Sequence, residues 1–199
     1  MLQFELFGIK VRLSFLFFAV VTIYLLLDES GYGYCGVLAV FSHELGHVIA
    51  YFLVGERPKA LSFSVEGMRI TASERYLTPG KDIFALSAGC LVNFILFAVG
   101  IYGNKTGDFT QLAFTQLFIG IFNALPIGAL DGGMILKRLL LAFLPIKAAF
   151  LISKIVSWAV LLPLFGCSVY LLVSAHNITL FVTSLFLLIC NRTGNGVQY

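Results

Sequence analysis

Long apolar segments dominate this 199-residue chain and limit the folds open to it. A transmembrane helix needs about 20 predominantly apolar residues. Six segments reach or approach that length, at residues 11–28, 35–54, 82–102, 109–126, 148–173 and 176–190. Charged residues make up 12% of the chain, about half the share found in soluble domains. We therefore predict an all-α polytopic membrane protein with a single domain over residues 1–199. The composition excludes a soluble enzyme and a nucleic-acid-binding protein.

Basic residues mark one face of the predicted protein. They lie at the start of the first segment, between the second and the third, and after the fourth and the sixth: Lys10, Arg12, Arg57, Lys59, Arg69, Arg75, Lys81, Lys137, Arg138, Lys147 and Arg192. The opposite loops contain Lys105. Because cytoplasmic loops carry the excess of Lys and Arg, both termini are predicted to be cytoplasmic.

The second apolar segment contains three ionisable residues, His43, Glu44 and His47. Such residues are costly inside a membrane span and usually functional. On a helix the two histidines lie on one face, one turn apart, a spacing that suits zinc binding. Glu44 adjoins the first histidine, where it can reach a metal-bound water without binding the metal. The alternative is a pair of packing histidines around a buried Glu44, which would leave a bare carboxylate in the bilayer at a cost of at least about 3 kcal/mol.

A catalytic zinc site needs a third protein ligand. Most acidic residues lie in predicted loops or at segment ends, and His176 falls in a predicted external loop. Asp131 instead follows the fourth segment, after a stretch in which Pro126 breaks the helix. Zn²⁺ with Asp131 and Glu44 ionised and two neutral histidines has almost no net charge, which makes the group cheaper to bury than any member alone.

Two motifs together resemble those of the site-2 protease family of intramembrane zinc metalloproteases. They read His43-Glu44-x-x-His47 and Asn123-x-x-Pro126-x-x-x-Leu130-Asp131-Gly132. The resemblance implies a zinc ion bound by His43, His47 and Asp131, with Glu44 as the catalytic base. It also implies hydrolysis of a peptide bond within or near a transmembrane segment of a membrane protein, with release of a cytoplasmic regulator.

The same resemblance implies residues that align the substrate. These are Asn123 and the broken helix at Pro126. A weaker family element, G-P-x-x-N, corresponds to residues 89–93, where Cys90 stands in place of the proline. Asn93 then either positions substrate or forms a hydrogen bond between helices.

The layout of six segments with the metal motif in the second resembles the bacterial group that includes the stage IV sporulation protease. The C-terminal CBS domain of that group is not found in this sequence. The resemblance implies a multi-pass protein of a bacterial cytoplasmic or sporulation-related membrane. Its implied partners are a transmembrane protein substrate and the lipid bilayer, with regulatory membrane proteins and a second copy of the chain as further candidates.

A polar connection at residues 58–81 separates the second and third segments. Apolar and serine residues alternate over 61–65 and Glu66-Gly67 favours a turn, which predicts a small cytoplasmic β-hairpin. This connection is either a solvated loop or an edge strand near the active site that pairs with an extended substrate.

Two other functions stay open from the residues themselves. In a metal-binding transporter, His43, His47 and Asp131 would line a permeation path. The glutamate after the first histidine and the lack of an internal repeat count against that reading. A non-catalytic scaffold is the other alternative, and the intact set of ligands and base counts against it.

Overall fold

A computed structural model describes residues 2–6, 9–26, 28, 32–56, 60–64, 67–71, 78–103, 109–175 and 178–193. The chain divides into two compact units, residues 1–121 and 122–199. The first unit contains β1 (Leu2–Leu6), β2 (Ile9–Leu13), α1 (Phe15–Leu26), α2 (Gly33–Leu53), β3 (Ala60–Ser64), β4 (Gly67–Thr71), α3 (Pro79–Gly103) and most of α4 (Thr110–Ala124). The second contains α5 (Asp131–Phe143), α6 (Ile146–Ala175) and α7 (Ile178–Thr193).

Among the described residues, three helices, α2, α3 and α6, are long and apolar enough to cross a bilayer, and α7 is a shorter apolar helix. These helices coincide with the predicted spans at 35–54, 82–102 and 148–173 and support a multi-pass membrane protein. The 12 residues of α1 and the 15 of α4 fall short of the about 20 that a perpendicular crossing requires.

The structure adds to the prediction of helices with one hairpin, because the strands in the described part of the chain form a four-stranded sheet with the order β1-β2-β3-β4. The predicted hairpin is confirmed as the antiparallel pair of β3 and β4. An N-terminal antiparallel pair, β1 and β2, joins it through parallel pairing of β2 with β3. Residues 11–13, predicted as the start of the first span, belong to β2, where apolar residues alternate with Lys10 and Arg12 at the period of a strand.

Helix α5 is a second difference, since residues 131–143 lay between predicted spans. The helix is amphipathic, and the ammonium group of Lys137 lies 3.9 Å from the centre of the Phe150 ring at the start of α6. Burial, and to a lesser degree the neighbouring Arg138, lower the pKa of Lys137. Basic residues that marked a loop in the sequence thus lie on a helix packed against its neighbour.

Helix α2 buries its small and polar side chains and exposes its large apolar ones. The buried residues are Cys35, Ala39, His43, Gly46, His47 and Ala50, and the exposed ones include Leu38, Phe41, Leu45, Ile49 and Phe52. Small residues between helices allow close backbone approach in a membrane. An ideal Cβ on Gly46 would lie 2.8 Å from the carbonyl oxygen of Ala88, so α2 and α3 are almost in backbone contact there.

The end of α2 is fixed by a Schellman motif. The N–H of Glu56 donates to the carbonyl of Tyr51 and the N–H of Gly55 donates to that of Phe52, each at 3.0 Å. Gly55 has a φ of 82°, the left-handed conformation that this motif assigns to glycine. The ammonium group of Lys81 in α3 donates to the carbonyl of Val54 at 2.9 Å, and so joins the ends of the two helices.

Candidate metal centre

The imidazoles of His43 and His47 meet on the buried face of α2. Their Nε2 atoms lie 3.2 Å apart, and their ring planes are inclined at 85°. His43 is 4% exposed and His47 is 8% exposed. The helical spacing therefore brings two ring nitrogens together on a face that is shielded from solvent.

The orientation of His47 is set by α3. Its Nδ1 lies 2.8 Å from the carbonyl oxygen of Ala85. A carbonyl only accepts, so Nδ1 carries the proton and donates it. The lone pair of the neutral ring is then on Nε2, which points to His43. Histidines that bind metals almost always donate their second N–H in this way.

The separation of the two nitrogens fits two ligands of one tetrahedrally coordinated metal ion. Two nitrogens at the usual zinc distance of about 2.0–2.1 Å lie about 3.3 Å apart across a tetrahedral angle. The observed 3.2 Å is close to that value. A hydrogen bond between the two nitrogens also fits this distance, and a metal ion would replace its proton.

Glu44 follows His43 along α2 and is half-buried.

Helix α3 approaches the two rings with a glycine. An ideal Cβ on Gly89 would lie 2.5 Å from Nε2 of His47 and 2.8 Å from Nε2 of His43. A side chain at that position would displace the rings, so the glycine makes room for the pair. The thiol of the next residue, Cys90, is buried, and its Sγ lies within 4.8 Å of a ring nitrogen of His43.

A polar junction lies beside the histidines, where α2, α3 and α4 meet. The hydroxyl of Ser42 donates to the side-chain oxygen of Gln116 at 3.1 Å. The amide nitrogen of Asn93 lies 3.4 Å from the carbonyl oxygens of Ala39 and Gln116. Asn93 is fully buried, and these contacts correspond to the interhelical role that the sequence left open.

In the second unit, Asp131 is the first residue of α5 and is 8% exposed. The carbonyl of Leu130 accepts the N–H groups of Gly133 and Met134, both at 3.1 Å. A Cβ on Gly132 or Gly133 would collide with carbonyl groups of residues 124–127. The two glycines therefore let the preceding loop fold back on the start of the helix, where the positive end of the helix dipole favours a carboxylate.

Ser157 of α6 fixes the loop that precedes Asp131. The N–H of Gly128 donates to the Ser157 hydroxyl at 3.0 Å, and that hydroxyl donates to the carbonyl of Pro126 at 3.3 Å. Ser157 is 1% exposed. Pro126 is half-buried, as is Asn123 in the last turn of α4. One buried hydroxyl thus satisfies two backbone groups of a non-helical segment, as membrane depth requires.

The structure brings His43 and His47 together within the first unit. It places Asn123, Pro126 and Asp131 in the second unit, around one short loop. His176 lies outside the described residues. Sequence reasoning assigned no role to Ala85, Gly89, Gln116 or Ser157, since their contributions come from a carbonyl group, a missing side chain or a contact between distant helices.

Comparisons with known proteins agree with this architecture. No protein-family model matches the sequence, and no curated protein sequence matches it. Among solved structures, the chain is similar to the site-2 protease from Methanocaldococcus jannaschii, with a TM-score of 0.67 and 23% sequence identity. The similarity covers 100% of this chain and 96% of that one. It establishes a shared fold over the whole described chain.

Proposed function

We propose that this protein is an intramembrane zinc metalloprotease that hydrolyses a peptide bond within or near a transmembrane segment of a membrane-protein substrate. The observation that carries the proposal is the pair of buried Nε2 atoms 3.2 Å apart, with the Nδ1 of His47 directed to a backbone carbonyl. Both features match a metal site, in which two nitrogens lie at this separation on one tetrahedrally coordinated zinc ion and a ligand histidine donates its second N–H to a carbonyl. The fold shared with a site-2 protease over its full length supports the same function.

The proposed metal ligands are His43, His47 and Asp131. They provide two neutral nitrogens and one carboxylate, a donor set of the kind found in catalytic zinc sites. All three residues are buried, so a bound cation and the carboxylate would neutralise one another in a medium where either charge alone is expensive. Bound zinc supplies a Lewis acid that acidifies water and polarises the substrate carbonyl.

Glu44 is the proposed general base. It neighbours a proposed ligand on α2 and is half-buried, so its carboxylate stays close to the site without being committed to the metal. Glu44 accepts a proton from the attacking water and later donates it to the leaving amine. Both proton transfers use the same side chain, and the base is regenerated in each turnover.

The substrate has to be extended at the scissile bond, because a helix engages its own carbonyl groups. Strand β4 lies at an edge of the sheet and pairs with β3 along its other side. We assign the outer edge of β4 to pairing with the extended substrate. Asn123 and the loop at Pro126 are assigned to alignment of the substrate. The burial of Asn93 favours its packing role.

The proposed location is a bacterial cytoplasmic or sporulation-related membrane, with both chain termini in the cytoplasm. The released product would be a cytoplasmic regulator. Membership of the sporulation protease group and the involvement of regulatory membrane proteins or a second copy belong to the same proposal.

The test measures zinc content and peptide cleavage in detergent-purified protein. Wild type, Glu44→Gln and Asp131→Ala are compared using a model transmembrane peptide with helix-breaking residues, with products identified by mass spectrometry. Glu56→Gln, a half-buried glutamate just beyond α2, is the matched control. We expect about one zinc per chain in wild type and Glu44→Gln, cleavage in wild type and Glu56→Gln, and weaker zinc binding in Asp131→Ala. A well-folded wild type that binds no zinc would overturn the proposal, and zinc loss in Glu44→Gln would overturn the assignment of the base.

A further inference from the structure

The residue after Gly89 is a buried thiol, Cys90, whose sulfur lies near His43. Sγ of Cys90 lies within 4.8 Å of a ring nitrogen of His43, and Cys90 is 6% exposed. A thiolate and an imidazole bound to one tetrahedral zinc lie about 3.6 Å apart, given Zn–S of about 2.3 Å and Zn–N of about 2.1 Å. Rotation of the Cys90 side chain can bring its sulfur from within 4.8 Å of the His43 nitrogen to the distance of two ligands on one zinc ion.

We propose that Cys90 is a zinc ligand of the resting protein, an inference that rests on the zinc site of the proposed function. Its thiolate joins His43 and His47, so that the first unit alone offers two nitrogens and one sulfur. With Asp131 as a fourth ligand the metal is fully coordinated by protein. Sites closed in this way are structural, whereas catalytic zinc keeps one position for water or substrate. The resting centre is therefore closed, and a substrate has to displace Cys90 before hydrolysis.

The chemistry of the step is a ligand exchange without a change in oxidation state. The S–H bond of Cys90 breaks when the metal binds, the proton passes to solvent, and a Zn–S bond forms. On opening, water takes the vacated position and the thiolate is protonated again. The exchange needs no oxidant and no co-reactant, so the same protein cycles between closed and open forms.

A second cysteine on the neighbouring helix provides a matched control. Cys35 is 1% exposed on α2, two turns before His43, and does not belong to the group of ligand atoms around His43. Cys35→Ser and Cys90→Ser therefore make the same change of sulfur to oxygen at buried positions. Only the second removes the proposed ligand.

The decisive measurement is zinc X-ray absorption of the full chain in detergent. We expect a sulfur neighbour at about 2.3 Å in wild type and Cys35→Ser, and nitrogen or oxygen neighbours alone in Cys90→Ser. We also expect Asp131→Asn to retain zinc. The double variant Cys90→Ser/Asp131→Asn should bind zinc at least about tenfold more weakly than Asp131→Asn, because loss of even an outer partner of a metal ligand weakens metal binding by about tenfold or more.

The outcomes separate this inference from the proposed function. Zinc bound in wild type without a sulfur neighbour would overturn the role of Cys90 and leave the protease proposal standing. A folded wild type without zinc would overturn both. As a functional readout, Cys90→Ser should cleave a model peptide faster than wild type, because its centre is already open, and a slower rate with zinc retained would contradict the closed resting state.

Discussion

Gly89 lies directly against His47, with room for a hydrogen atom and no more: a Cβ there would stand 2.5 Å from Nε2. The glycine belongs to α3 and the histidine to α2, so the position of the imidazole rings depends on how closely the two helices approach. A residue with no side chain thus shapes the proposed metal centre as much as the histidines do.

Gly89→Ala should displace both imidazoles and weaken zinc binding by at least about tenfold, by analogy with loss of an outer partner of a metal ligand. Zinc affinity measured by competition with a chelator tests this. Gly80→Ala on the same helix is the control, since a Cβ at Gly80 meets nothing within 4 Å. Equal zinc affinity in the two variants would mean that the rings can move aside at no cost.

Asn93→Ala should lower stability and leave zinc content unchanged. The Asn93 amide contacts two backbone carbonyls of neighbouring helices, and interhelical hydrogen bonds of this kind contribute about 0.6 kcal/mol, at most about 1.7. Thermal unfolding in detergent gives the stability change, and metal analysis gives the zinc content. Loss of zinc without loss of stability would instead place Asn93 in the metal centre.

Ser157→Ala should release the loop at residues 126–128 and reduce cleavage by up to about 10²-fold, the effect of misplacing a reacting group by about 1 Å. The stability cost should be about 1 kcal/mol. Ser168→Ala is matched to it, because Ser168 is equally buried on α6 and bonds to Ser184. If the two variants lose activity equally, the loop does not depend on Ser157.

Gly132→Ala and Gly133→Ala should each destabilise the protein by about 1–3 kcal/mol, because the added methyl groups would meet backbone carbonyls that cannot rotate away. Gly166→Ala in α6 has open space around it and should gain about 0.5–1 kcal/mol from helix propensity. Thermal unfolding compares the three. Tolerance of alanine at both Gly132 and Gly133 would show that the loop can move away from α5.

Proline variants at successive positions of β4 should fall into two classes, according to the direction of the N–H group that proline removes. Alternate residues of an antiparallel strand direct their N–H groups toward the partner strand and away from it. Prolines at Met68 and Ile70 should therefore behave alike, and differently from prolines at Arg69 and Thr71. One pair should disrupt pairing with β3, and the other should raise KM for peptide cleavage with the fold intact. If every folded variant has the wild-type KM, the substrate does not pair with this edge.

The sequence predicts most readily what is periodic or chemically rare. A turn of helix separates His43 from His47, and that spacing alone fixes their common face. The alternation at residues 61–65 likewise predicts β3. The sequence does not predict strand β2, because its apolar residues run directly into those of α1. Two charged residues beside an apolar run are typical of the end of a membrane span.

Contacts between segments that are distant in the chain could not be predicted from the sequence. The carbonyl of Ala85 that orients His47 carries no sequence signal, since every residue has a carbonyl. Ser157 is one of several serines in an apolar helix, and its partner loop lies far away in the sequence. In the sequence, Gly89 only matches a weak family element and Cys90 only departs from it, whereas the structure gives the first a steric role and places the second near His43.

The sheet also constrains how many times the chain traverses the bilayer. Open strands cannot lie in hydrocarbon, and β2 and β3 are hydrogen-bonded neighbours, so Leu13 and Ala60 stand on the same side of the membrane. The number of crossings between them is even. If α2 makes one, the stretch before it makes another in the opposite direction, even though α1 has only 12 residues. Single cysteines placed at Gln3 and Ser62 should therefore be labelled from the same side of the membrane. The backbone pairing of two short strands thus requires an even number of membrane crossings between them.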